Sequence, residues 1–215
     1  MNKTELLDKY ARDGESRLLL ARVLDQQQRA DQRGIPTHTA FLSPAEQAMS
    51  ADLLMAAAPG QGVLHGGYAD AERKLWGFLP DWLDEDLWLA GEDCPLAALE
   101  VKTPKGAKLT HRDYLGSLMG LGITREKIGD ILIGETGAQV IVLRETLPIL
   151  LAQWEKAGRY PVTLTPLPLD QLTPTPGETK EVRATVASVR LDAVVSAGFS
   201  IPRSRAADLI RGGRV

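Results

Sequence analysis

The sequence predicts an α+β fold in three segments, on three observations. Apolar residues at helical spacing dominate residues 1–80. Short β-branched runs then alternate with helical stretches in the order β-α-β-β-α-β, and a proline-rich stretch leads into two short, arginine-rich helical patterns. The chain divides accordingly into a helical N-terminal domain with a small β element (1–80), a ferredoxin-like middle domain (81–170), a linker (171–182) and a two-helix unit (183–215).

Residues 1–33 set Leu18, Leu19, Ala21, Val23 and Leu24 among many charges, which suits one amphipathic helix with a single core-facing stripe. Gly34 and Pro36 stop it. In "FLSPAEQAMSADLLMAAAPG", Ser43 suits an N-cap, Pro44 the first helical position and Glu46 the return half of a capping box, before a run closed by Pro59 and Gly60. "GVLHGGYADAERKLWGFLP" offers two apolar runs around Gly66 and Gly67, read as the small β element.

From about residue 97, "ALEVKTP" is strand-like, residues 110–121 are helical, and Ile128–Ile133 and Gln139–Leu143 are β-branched runs. "LPILLAQWEKAGRY" reads as a second helix and "PVTLTPL" as an extended segment. That order is the split βαβ arrangement of ferredoxin-like domains, shared with the RNA-recognition motif (RRM). Its strands "ALEVK", "DILIG" and "QVIVL" hold no aromatic residue, so the base stacking of a standard RRM sheet is not available. Pro166, Pro168, Pro174 and Pro176 stiffen the way into the final segment. There, Leu191, Val194 and Val195 share a face before Gly198 ends a first helix. Ser200 and Pro202 open a second helix, which turns Ala206, Leu209 and Ile210 inward. Arg203, Arg205, Arg211 and Arg214 are left to project outward or along the edges.

Charge is unevenly spread along the chain. The formal net charge is −3, but residues 178–215 carry seven Lys/Arg against four Asp/Glu. Asp81 to Glu100 holds seven acidic side chains and no Lys or Arg, whereas residues 101–127 hold Lys102, Lys105, Lys108, Arg112, Arg125 and Lys127 against Asp113 and Glu126. Cys94 is the only cysteine, which excludes an internal disulfide or a Cys-based zinc cluster and fits a reducing compartment. The opening "MNKTELLDKYARDGES" has no apolar core of signal-peptide length, and no apolar run approaches the ~20 residues of a membrane helix. The expectation is a cytoplasmic protein without membrane, metal, cofactor or small-molecule substrate.

"HRDYLGSLMGLGITREKIGDILIG" opens with the triplet of a kinase catalytic loop, but Leu118 stands where that loop carries its magnesium-binding Asn. No Gly-rich phosphate loop or DFG triplet accompanies it. Two readings stay open: Thr110 caps a helix whose polar first turn is His111, Arg112 and Asp113, or His111 and Arg112 meet phosphates. His38, His65 and His111 are too scattered for a metal pattern. Glu72 and Arg73 fit a surface ion pair or a domain contact better than catalysis. "RLD" at Arg190–Asp192 matches a triplet of some pseudouridine synthases, yet it opens a two-helix unit rather than a β-rich catalytic domain, and Asp192 suits a helix start. No nucleophile, base and orienting group converge, so a non-enzymatic protein is expected.

Arginines on a small helical module beside glycines suit phosphate contact, with a solvated helix face as the bland alternative. "RLDAVVSAGFSIPRSRAADLIRGGRV" resembles the opening half of an S4-type RNA-binding domain; the match stops at Val215, where that family continues into a β-hairpin. Carried over by position, Arg190, Arg203, Ser204, Arg205 and Arg211 match residues on or supporting the RNA face. Together with "FLSPAEQ", "GGYADAERK" and "HRDYLGSLMGLGITREKIGDILI", the chain resembles the YlmH family of bacterial S4-domain RNA-binding proteins (photosystem II S4 domain-like) along nearly its whole length. The resemblance implies binding to rRNA or tRNA on the ribosomal large subunit, with a role in ribosome-associated quality control or rescue of stalled translation. Some members are linked to cell-division loci. In the middle domain, Lys105, Lys108, His111, Arg112, Arg125 and Lys127 are the candidate RNA contacts, with Arg214 joining those of the last unit. Two further readings are an RNA-modifying enzyme targeted by the S4-like unit, and a protein adaptor docking through its acidic 81–100 stretch.

Overall fold

A computed structural model describes residues 2–57, 62–174 and 181–212. Pro59 and Gly60, residues 175–180 of the 171–182 linker, Arg214 and Val215 lie outside the described residues. The chain forms two compact units, Met1–Thr175 and Pro176–Val215.

The first unit opens with α1 (Lys3–Tyr10) and α2 (Gly14–Arg33), not with one helix over residues 1–33. The break has a local cause. The Asp13 carboxylate accepts from the Ser16 amide at 2.7 Å, and the Ser16 hydroxyl accepts from the Asp13 amide at 3.0 Å, so a reciprocal cap starts a new helix. Gly34, left-handed, ends α2, and β1 (Thr37–His38) follows. Ser43 and Glu46 then form the expected capping box of α3 (Pro44–Ala57), with the Ser43 amide donating to Glu46 Oε2 at 2.6 Å. Leu6, Leu7, Leu20, Leu24 and Leu53 join the three helices in one apolar cluster.

The small β element is a three-stranded antiparallel sheet in the order β1-β3-β2, with β2 at Val63–His65 and β3 at Leu75–Phe78. β1 is too short to show a sequence period. α4 (Glu85–Ala90), within the acidic stretch, is capped by Asp84 and sends Trp88 inward. Gly77 makes room for it, because a Cβ at that position would overlap the Trp88 indole.

The second sheet runs β5-β6-β4-β9, all antiparallel: β4 (Leu96–Lys102), β5 (Ile128–Gly134), β6 (Gly137–Leu143) and β9 (Thr163–Leu167). With α5 (His111–Gly120) and α6 (Leu147–Gln153) it completes the βαββαβ topology. Leu99, Val101, Val140 and Val142 face Tyr114, Leu118 and Leu150 of the helices. The helix predicted over "LPILLAQWEKAGRY" ends early. Trp154 is buried and its indole donates to the Ser117 hydroxyl at 3.0 Å; Gly158, at φ +55°, then turns the chain into a small hairpin of β7 (Lys156–Ala157) and β8 (Tyr160–Pro161).

The opposite face of this sheet is covered from the N-terminal side. Leu96, Ile141 and Leu143 pack with Phe41, Leu75 and Trp88, all buried. The joint is polar as well: the Asp130 carboxylate accepts from the Tyr68 hydroxyl (2.8 Å) and from the amides of Glu72 (2.7 Å) and Arg73 (3.0 Å). A register shift between Ile128 and Ile131 places Asp130 there.

The second unit is a pair of helices, α7 (Leu191–Phe199) and α8 (Arg203–Arg211), joined through Ser200 in the left-handed region. The first helix runs on to Phe199, past Gly198, and its buried residues are Ala193 and Val195, facing Ala206 of α8. Leu191 and Val194 are exposed.

Candidate nucleic-acid interface

The turn entering α5 gathers four of the candidate residues. Thr110 caps the helix, and both its amide and its hydroxyl donate to Asp113 Oδ2, at 2.8 and 2.7 Å. Those bonds hold the Asp113 carboxyl below its ordinary range. The acid of the His-Arg-Asp triplet is therefore spent on a cap. His111 and Arg112 remain exposed on the first turn, with Lys105 and Lys108 exposed in the loop before it. Among the described residues none of these four has a hydrogen-bond or ion-pair partner, and they stand at the positive end of the α5 dipole.

Arg125 and Lys127 are held differently. Arg125 is half-buried and donates to the carbonyls of Ile128 (2.6 Å) and Gly129 (3.3 Å). Burial, then the neighbouring Arg73 charge, lowers its proton affinity. Arg73 itself donates to the Phe41 and Ile128 carbonyls, both at 3.0 Å. Lys127 pairs with Glu145 at 2.9 Å. Arg73 and Arg125 close the joint around Asp130, which gives the "GGYADAERK" and "GITREKIGD" stretches a structural task.

In the second unit, Asp192 accepts from Arg203 at 2.8 Å and from Arg190 at 3.1 Å, and the two guanidiniums keep its carboxyl below the usual range. Arg211 pairs with Asp208 at 2.5 Å. Ser204 and Arg205 are exposed at the start of α8 and make no polar contact among the described residues. Arg214 lies outside them.

Other chemistry finds little support. The histidines stand apart on β1, β2 and α5, and no group of three His, Cys, Asp or Glu among the described residues could hold a metal. Cys94 is buried, which pushes its thiol up and away from the reactive thiolate. No helix among the described residues is long and apolar enough to cross a membrane. Within the acidic stretch, Asp84 caps α4 while Trp82 and Leu87 are exposed.

Sequence reasoning missed the β7–β8 hairpin. Its signal was Gly158 inside an otherwise helical run. A Cβ at that glycine would lie 3.2 Å from Leu109 Cδ2 and 3.6 Å from the Asp113 carboxylate. The hairpin tip therefore sits against the start of α5, which brings Arg159, the residue after Gly158, to the turn that carries His111 and Arg112.

Residues 90–171 match the family model described as "Putative RNA-binding domain in YlmH", and residues 15–77 match "YlmH, N-terminal". The protein of Bacillus subtilis (strain 168) named "Ribosome-associated protein quality control protein P2" is 35% identical over 183 residues, covering 82% of this chain and 67% of that protein. The solved "Cell division protein ylmH from Streptococcus pneumoniae" shares the fold with a TM-score of 0.58 at 24% identity, over 74% of this chain and 94% of that one. The α+β architecture, both matched segments and the Bacillus relative agree: the chain belongs to the YlmH family.

Proposed function

We propose that this protein is an RNA-binding, non-enzymatic component of ribosome-associated quality control, holding rRNA or tRNA on the large subunit through phosphate charge and shape. The observation that carries it is the set of exposed, unpartnered cations Lys105, Lys108 and Arg112 beside His111 at the positive end of α5. Exposed cations without acidic partners bind phosphate with no internal ion pair to break first. The names of the matched domain and of the Bacillus relative point the same way. Residues 1–80 serve in this reading to cover the sheet, while segments 81–170 and 183–215 carry RNA contacts. Arg205 and Ser204 are the free groups of the latter, Arg190 and Arg203 are preset by Asp192, and Arg211 must leave Asp208 to take part. Arg125 acts mainly by holding the joint around Asp130, and Lys127 must leave Glu145 to take part.

Co-sedimentation with ribosomal subunits across a salt series tests this. Salt-sensitive association is expected, and Lys105→Ala/Lys108→Ala/Arg112→Ala should lower the salt slope by about two to three, roughly one per lost phosphate contact. Arg203→Ala/Arg205→Ala/Arg211→Ala should weaken binding in the same manner. Association by both variants equal to wild type, at every salt, would remove the reading.

A further inference from the structure

We infer that the β7–β8 hairpin is a base-stacking element, so that the RNA held by the α5 patch carries an unpaired nucleotide beside its backbone contacts. The inference deepens the RNA-binding reading above and rests on it.

The hairpin is anchored from beneath and leaves Arg159 exposed on its tip. Below it, Ala157 is fully buried and Trp154 nearly so, and the Trp154 indole is shared between the Ser117 hydroxyl (3.0 Å) and the Lys156 carbonyl (3.1 Å). The Val162 amide donates to the Glu155 carbonyl at 2.9 Å and closes its open end. Its tip is therefore fixed to α5 rather than hanging free. On that tip Arg159 is exposed, and its guanidinium lies 5.0 Å from the centre of the Tyr160 ring while donating to the Tyr160 hydroxyl at 2.9 Å.

This pair differs from the other cations of the patch. Lys105, Lys108 and Arg112 have no partner to orient them, which suits a phosphate approached from many directions. Arg159 is oriented in advance by the phenol, so less side-chain entropy is lost when a flat ligand stacks on it. A base within a duplex already has neighbours on both faces and cannot stack there. An unpaired or bulged base can, and bases do stack on aromatic rings and guanidinium planes. The covered sheet face removes the surface an RRM would use for this, which leaves the hairpin as the aromatic group at the edge of the patch.

The test measures affinity of the full chain, by fluorescence anisotropy over a salt series, for a labelled RNA stem-loop with one bulged nucleotide and for the same stem fully paired. Wild type should prefer the bulged RNA by about fivefold or more, the lower end of one stacked base. Arg159→Lys keeps the charge and should abolish the preference with the salt slope unchanged. Tyr160→Leu should also abolish it, with thermal unfolding of both variants checked against wild type. If wild type binds both RNAs equally, or if Arg159→Lys and Tyr160→Leu keep the preference, the stacking role is overturned while the phosphate patch stands. Salt-sensitive binding to neither RNA would sink the RNA-binding reading, and this inference with it.

Discussion

At the scale of single residues, His65 is the clearest case of tertiary context acting on chemistry. It sits half-buried in β2, and the Gly67 amide donates to its Nδ1 at 2.9 Å, a bond that requires that nitrogen unprotonated. Burial above all, with the Lys74 charge adding and Glu85 opposing, lowers its proton affinity in the fold. The unfolded chain therefore binds the proton first, below about pH 6.5. Between that pH and the lower folded value the unfolded state holds more protons, so its contribution makes stability fall as pH falls. Unfolding midpoints measured from pH 7.5 down to 5 should show this loss, and His65→Gln should flatten it. A wild-type midpoint insensitive to pH over that range would contradict the assignment. Asp113 and Asp192 show the opposite residue-level behaviour, since hydrogen bonds in one case and arginines in the other favour their charged forms.

Among elements, close approach decides more than propensity. β3 and α4 meet where Gly77 lies under the Trp88 indole, and Trp88 in turn fills the cluster against the four-stranded sheet. Gly77→Ala adds one methyl group with no space to enter, and the buried ring cannot swing aside. The expected cost is about 1–3 kcal/mol, read from urea unfolding with an unchanged m-value. Stability equal to wild type would show that the α4 packing gives way more easily than its burial implies. The β7–β8 hairpin is governed the same way. Local sequence favours continuing α6, but the buried Trp154 and the left-handed Gly158 override it.

For the first unit as a whole, the Asp130 joint ties the small β element to the four-stranded sheet. One carboxylate satisfies two amides and a hydroxyl, and Phe41 and Ile141 pack nearby on the same side of the sheet. Asp130→Ala would remove the acceptor shared by those donors, at about 1–3 kcal/mol for partly exposed bonds to a charged group. Differential scanning calorimetry should show a lowered transition. If the joint couples the two halves, the transition should also broaden or split; a transition as sharp and as high as wild type would argue that apolar packing alone couples them. The joint bears on function because it closes the face an RRM uses, while the α5 edge stays an exposed cationic surface of this unit.

Features that depend on neighbours along the chain are legible in the amino-acid sequence. The Ser43–Glu46 capping box, the βαββαβ order and the Thr110 start of α5 are set by residues a few positions apart, and those signals survive in any fold. The break at Asp13 is equally local, set by the Asp13 and Ser16 pair, although the apolar stripe runs on across it. Which cations are free depends instead on long-range packing. Arg112 and Arg125 are equivalent in a count of charges, yet one reaches solvent while the other spends its guanidinium on backbone carbonyls from the bulged stretch of β5. The same holds for the covered sheet face and for Arg159 beside α5: each results from contacts between residues far apart in sequence, whose energies come from burial and hydrogen bonds that no local pattern encodes.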